Sequence, residues 1–167
     1  MDNRIKKHAE VLLKYSLDIK KGEKLLIAGD VVILPLIKES YSLAVELGAL
    51  PQVMINSEEL KEMLLKGGSE EQIKYVPVSI KKAFETIDAS LSFFGGSNTR
   101  MLSNVNPEKL KLSAQGFSEI VRIFFERSAK KRTKMVLYYV PQSGKCPGSE
   151  HVNFRIRRFC LWGGLYR

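Results

Sequence analysis

The chain has 167 residues, of which 44% are hydrophobic and 27% are charged, a composition typical of a globular domain that buries its own core. No window approaches the roughly 20 apolar residues of a membrane span, and the N-terminus lacks an apolar signal segment, so we expect a cytoplasmic protein without membrane contact. Two cysteines are too few for a disulfide framework. The net charge of +9 is compatible with nucleic-acid binding. Most lysines, however, alternate with glutamates along predicted helices and indicate a solvated surface, so we expect no nucleic-acid partner.

The chain begins with an amphipathic pattern. Ile5, His8, Leu12 and Tyr15 recur at helical spacing and predict a helix that Lys20-Lys21-Gly22 breaks. His8 lies on the core-facing side of this helix. We interpret it as a residue at the boundary of the core rather than as a metal ligand or a catalytic base.

A strand, a helix and a second strand follow. The apolar run 25–28 predicts a strand covered on both faces, and Gly29-Asp30 predicts the turn after it. Residues 33–45 carry apolar side chains at helical spacing, and Gly48 ends that helix. The run 51–55 predicts the second strand.

Three helices are predicted in the middle of the chain. Asn56 and Glu59, three residues apart, predict a capping box for a helix over 57–66 that Gly67-Gly68 ends. Two shorter helices follow, one around Ile73 and one over 80–84.

The last predicted elements are a strand over 89–94, a long helix and a strand over 135–140. Asn106 is suited to cap the helix and Pro107 to its first position. The predicted apolar face of this helix comprises Leu110, Ala114, Phe117, Val121, Phe124 and Phe125. Because strands and helices alternate, we expect an α/β fold with a mainly parallel sheet flanked by helices and an irregular tail.

Few residues carry a chemical signal. Gly29 lies between a strand and a helix, but the surrounding sequence lacks a G-x-G-x-x-G pattern and favours a plain turn over nucleotide binding. The loop Gly95–Asn98 could present N–H groups to an anion or be an ordinary loop. Cys146, His151 and Cys160 lack the paired spacing of common zinc sites. No nucleophile–base set is visible, so the residues alone predict an α/β scaffold without an active site.

Three stretches nevertheless resemble a known family when they are taken together. Their features include the helix-to-strand segment Tyr15–Ile27, the helix containing Pro35, and Gly48-Ala49, where that helix ends and the chain enters a strand. In order, the stretches are 12–55, 97–110 and 132–141. This ordered set resembles the N-terminal domain of the thermophilic metallo-aminopeptidases of the aminopeptidase T and S type.

The resemblance implies a two-domain enzyme that removes N-terminal residues from peptides. It also implies two divalent metal ions of the zinc or cobalt type, held by side chains of a C-terminal domain, and a homodimer. Those ligands would lie beyond Arg167, so the resemblance assigns no catalytic or metal-binding residue to this chain. We therefore expect residues 1–141 to form the N-terminal domain, to wall the substrate cavity and to be inactive alone.

The resemblance stops after Pro141, where the family continues into an acidic amphipathic helix. When the codons permitted for His151–Cys160 are read one base later, they allow Met-Ser-Ile-Leu-Glu-Tyr-Glu-Asp-Phe-Val. This sequence contains motifs that the family has in that helix. We therefore expect residues 142–167 to be the out-of-frame tail of a truncated enzyme.

Three alternatives stay open for the tail and for the chain as a whole. The tail could be a genuine divergent sequence. The chain could instead be a non-enzymatic module that binds a full-length subunit. A third alternative is a basic protein that binds nucleic acid through Arg155, Arg157 and Arg158.

Overall fold

A computed structural model of the protein describes residues 3–94, 105–130 and 132–139. In chain order the elements are α1 (Asn3–Glu10), a π-helical segment (Val11–Ser16), β1 (Lys24–Asp30), a 3₁₀ turn (Val31–Ile33), α2 (Leu34–Glu46), β2 (Leu50–Asn56), α3 (Glu58–Gly67), α4 (Glu70–Lys74), α5 (Val78–Thr86), β3 (Ala89–Phe94), α6 (Pro107–Ala129) and β4 (Lys134–Tyr139). Within these ranges, no helix combines the length and the apolar character needed to cross a membrane.

The four strands form one sheet in the order β2-β1-β3-β4, and every neighbouring pair is parallel. This confirms the predicted α/β fold. The chain leaves β1 toward one edge through α2 and later leaves β3 toward the other edge through α6. Because such crossovers are right-handed, α2 and α6 lie on opposite faces of the sheet.

The main core lies on the face of the sheet covered by the first two helices. Ile27 of β1 and Leu91 of β3 are fully buried there, together with Leu13 and Ile37 from the helical layer. Each such side chain stabilises the fold by about 1.5–3 kcal/mol relative to an exposed position. Residues 25–29 are all buried, which confirms that β1 is covered on both faces.

A smaller cluster lies between the helices of the second layer. Leu65 of α3, Ile73 of α4 and Val105 are buried together, with Leu110 and Leu112 of α6 packed against them. This cluster holds α6 against α3 and α4.

The predicted N-terminal helix is present but differs at its end. It continues from α1 into the π-helical segment and stops at Ser16, before the predicted break at Lys20–Gly22. The backbone N–H groups of Leu17 and Ile19 donate to the carbonyls of Leu12 and Leu13, both at 3.0 Å. The helix thus ends three residues before the predicted break.

The predicted turn at Gly29-Asp30 is wrong, because both residues complete β1. A Cβ atom on Gly29 would lie 3.1 Å from the side chains of Ile37 and Phe93, so a larger residue would require these side chains to shift by a few tenths of an ångström. The turn begins one residue later. The carboxylate of Asp30 accepts the backbone N–H of Val32 and starts the 3₁₀ turn.

The predicted capping box at Asn56 and Glu59 is also wrong. Asn56 remains in β2, where it pairs with Asp30, and Ser57 caps α3 by accepting the N–H of Leu60. The structure places a capping box at the start of α4 instead, between Ser69 and Gln72.

The long helix α6 begins as predicted, because the Asn106 side chain accepts the N–H of Glu108. Its predicted apolar face is wrong in part. Phe117, Val121 and Phe125 are 39%, 47% and 52% exposed, whereas Ile120 is buried. The helix packs through the side that carries Ile120, Leu110 and Leu112. It is therefore rotated about its axis relative to the predicted orientation.

Candidate functional site

The described surface contains an open apolar groove between α2 and the edge strand β2. Its volume is about 490 Å³. Tyr41 and Val45 of α2 and Val53 and Ile55 of β2 line it, and they are between 37% and 54% exposed. Exposed apolar side chains this close together are typical of a surface that is covered by another molecule or segment.

The groove exists because β2 is the last strand of the described sheet on this side. The first residue of β2, Leu50, is fixed beside β1 because its backbone N–H donates to the Glu23 carbonyl at 2.8 Å. On the core side of α2, Leu36, Ile37 and Leu43 are buried, so α2 is fixed over β1 and β2 while its outer side stays uncovered.

Two opposite charges lie on the rim of the groove. Lys38 and Glu46 are both exposed and are eight residues apart on α2, with Ser42 midway between them. Neither forms an ion pair with another described residue. The rest of the groove is lined mainly by apolar side chains, and such a lining is typical of a binding surface.

The carboxyl edge of the sheet is a second candidate site, because ligands of open parallel sheets bind where the strand order reverses. Here that point lies between the ends of β1 and β3. The Asp30 carboxylate is already engaged by Val32 at 3.0 Å, and Phe94 is 53% exposed. The predicted anion-binding loop Gly95–Asn98 lies outside the described residues.

His8 occupies the boundary position that the sequence predicts. Its ring meets the Tyr138 ring edge-on, with 4.6 Å between centroids. Burial lowers the pKa of His8 and raises the pKa of the Tyr138 phenol. Both shifts favour the neutral forms, as expected for aromatic side chains packed at the edge of a core.

The described residues do not fit a metal centre. Across 3–94, 105–130 and 132–139, no three His, Cys, Asp or Glu side chains come close enough together to hold an ion. The candidate set Cys146, His151 and Cys160 lies outside these ranges.

Our sequence analysis missed the groove, although one signal was available. Tyr41 and Val45 are four residues apart and form a second apolar stripe beside the buried side of α2. A helix that is apolar over more than one face is buried more completely than a surface helix. The stripe therefore indicated a further contact on the outer side of α2.

Comparison with known proteins adds three findings. The family model "thermophilic metalloprotease (M29)" matches residues 1–146. No curated protein matches the chain. Among solved structures, wild-type AmpT from Thermus thermophilus has a similar fold, with a TM-score of 0.66 and 20% sequence identity, over 80% of this chain and 35% of that chain.

The structural similarity at 20% identity shows the fold alone, and the match spans about a third of AmpT. The family match is broader evidence, because it extends over most of this chain. It confirms the resemblance on which the sequence analysis depended. The chain therefore belongs to the thermophilic metalloprotease (M29) family.

Proposed function

We propose that residues 1–141 are the N-terminal domain of a metal-dependent aminopeptidase, an enzyme that removes N-terminal residues from peptides. The observation that carries this proposal is the family match over residues 1–146. The parallel sheet, which resembles AmpT in fold, is consistent with it. In this role the domain walls the substrate cavity and supports a homodimer of the enzyme.

The chemistry itself is assigned to a separate C-terminal domain. In this proposal, two divalent metal ions of the zinc or cobalt type are bound there. The proposal is supported by the family match, because that family is described as a metalloprotease family. Residues 1–141 then act by positioning and enclosure, and we expect no peptidase activity from this chain alone.

The proposed origin of residues 142–167 is a change of reading frame near Pro141. It is supported by the codons permitted for His151–Cys160, which, when they are read one base later, allow residues that the family has in its next helix. The nucleotide sequence from the codon of Met135 onward tests this directly. We expect an overlapping frame that continues for a further domain containing Glu and His residues, and the absence of any such continuation would overturn the proposed origin.

Activity is tested with two products. The 167-residue chain is assayed on aminoacyl-anilides with added Zn²⁺ or Co²⁺ and again with a chelator, and we expect no hydrolysis under either condition. A product with the frame restored at residue 142 is expected to hydrolyse the same substrates in a chelator-sensitive manner. Chelator-sensitive hydrolysis by the chain alone, or none by the restored product, would contradict the proposed function.

A further inference from the structure

The charges of the described residues are unevenly distributed. We define the basic surface as residues 3–24, which comprise α1, the π-helical segment and the loop into β1, together with Asp88, Lys130 and residues 132–134. Ten Lys or Arg residues and four Asp or Glu residues lie there, a net charge of +6. The other described residues carry ten and twelve, a net charge of −2. Such an asymmetry is typical of a surface that binds an anionic partner.

Hydrogen bonds join the parts of the basic surface at the amino edge of the sheet. The Lys134 ammonium donates to the Asp18 carbonyl at 2.8 Å and to the two Glu23 carboxylate oxygens at 2.8 and 3.0 Å. The Asp88 carboxylate accepts the backbone N–H of Lys24 at 2.9 Å, and its carbonyl accepts that of Lys134, also at 2.9 Å. Since α1 leads into the same edge through the π-helical segment, the basic surface is continuous.

The carboxylates of the basic surface are all engaged within it. Three of them form ion pairs, Glu10 with Lys14, Asp18 with Lys20 and Glu23 with Lys134, and Asp88 accepts the Lys24 N–H. Six exposed cations of the surface form no ion pair with a described residue, namely Lys6, Lys7, Lys21, Lys24, Lys130 and Arg132. These six are available to the anionic groups of a partner.

This pattern differs from the one on which the sequence analysis depended. The alternation of lysine with glutamate holds in α3, where Lys66 pairs with Glu62 at 2.6 Å. Helix α1 instead carries Arg4, Lys6 and Lys7 and a single carboxylate. The argument against a nucleic-acid partner therefore does not extend to the basic surface.

We propose that the basic surface binds single-stranded nucleic acid, with its cations on the phosphates and Tyr15 against a base. Tyr15 lies near the end of the π-helical segment beside Lys14, and its side chain is 78% exposed. Exposed aromatic rings beside cations are the usual means of holding single strands, because every base can stack on such a ring. This binding goes beyond the proposed peptidase function and does not depend on it.

The composition of the surface favours nucleic acid over an acidic protein. Among its described large apolar side chains, only Val11 and Tyr15 are exposed. A protein interface usually has an apolar core, whereas an interface with nucleic acid is polar and positively charged. The apolar side of the N-terminal helical region is buried through Leu12 and Leu13, so this region does not project as a helix that could enter the major groove of a duplex. A single strand, whose bases are free to stack, therefore fits best.

The first test is fluorescence anisotropy of a labelled oligothymidine of about 20 nucleotides, titrated with the 167-residue chain at several salt concentrations. If all six cations contact phosphates, log K should fall with log salt with a slope of about −4. Lys7→Gln and Lys21→Gln should each reduce the magnitude of this slope by about 0.7. Lys61→Gln is the matched control, because Lys61 is an exposed lysine of α3 without an ion pair to a described residue, and it should leave the slope unchanged.

The second test separates stacking from charge. Tyr15→Ala should weaken binding of the same oligonucleotide by about 5- to 150-fold and leave the salt slope unchanged, because it removes a stacked ring but no cation. Tyr15→Phe keeps the ring and should retain the affinity to within about twofold. Equal weakening by both variants, or no weakening by Tyr15→Ala, would contradict the stacked base.

Three other results would overturn the proposal. The first is an affinity for the oligonucleotide that depends neither on salt nor on Lys7→Gln and Lys21→Gln. The second is equally tight binding of polyglutamate or of a duplex of matched length, which would show that the surface accepts any polyanion. The third is loss of binding when Arg155, Arg157 and Arg158 are all replaced by glutamine, without weakening by Lys7→Gln or Lys21→Gln. That result would assign the binding to the tail.

Discussion

Replacing Gly116 with alanine tests the packing of the second helical layer. Gly116 lies in α6 where this helix meets the end of α4. A Cβ atom at this position would lie 2.6 Å from the carbonyl oxygen of Lys74 and 3.1 Å from its carbonyl carbon. These are backbone atoms, so no side-chain rotation relieves the contact.

Two opposing effects set the magnitude of this change. Alanine favours a helix over glycine by about 1 kcal/mol. Restoring an ordinary contact distance requires α4 and α6 to separate by nearly an ångström, and this separation disturbs the cluster of Leu65, Ile73 and Val105. Overpacking of this kind costs about 1–3 kcal/mol. We therefore expect Gly116→Ala to lower the free energy of unfolding by about 1 kcal/mol.

Urea unfolding followed by circular dichroism measures the effect, and Gly67→Ala is the matched control. Gly67 ends α3, and a Cβ atom there would meet nothing within 4 Å. Alanine at position 67 is expected to raise the free energy of unfolding by about 0.4–1 kcal/mol. A Gly116→Ala variant at least as stable as the wild type, with an unchanged denaturant slope, would refute the close approach of α4 and α6.

Three further variants test other contacts. Arg127→Met should lower the free energy of unfolding by about 1–3 kcal/mol, as measured by urea unfolding. The reason is that the guanidinium donates to the Ile87 carbonyl at 2.7 Å and to the Thr133 hydroxyl at 3.2 Å. Ser40→Ala should be neutral or stabilising by up to about 1 kcal/mol, because this fully buried hydroxyl bonds to no described residue; a clear loss of stability would show a hidden partner. Burial lowers the pKa of His8 below 6.5, so the stabilisation from its neutral form is complete above pH 6.5 and falls as the pH drops below that value. Thermal melts between pH 8 and pH 5 should show a loss that His8→Phe reduces.

Local sequence patterns determined most of the elements correctly. The strand over 89–94 was predicted with its observed bounds, and Asn106 and Pro107 located the start of α6. These signals are local, because a buried parallel strand is an apolar run and a helix cap needs only neighbouring residues. The misplaced cap at Asn56, in contrast, has a non-local cause. The strand pairing of Asn56 with Asp30 excluded it from the cap, and such pairing depends on distant residues.

The errors at α6 and in the groove have a non-local cause. The periodicity of α6 offered two adjacent apolar faces, and the approach of α4 at Gly116 decided which one is buried. Likewise, the run 51–55 correctly predicted a strand but not its place at an edge. That place depends on the order β2-β1-β3-β4. The stripe of Tyr41 and Val45 indicates a further contact on α2, but the groove itself follows from the strand order.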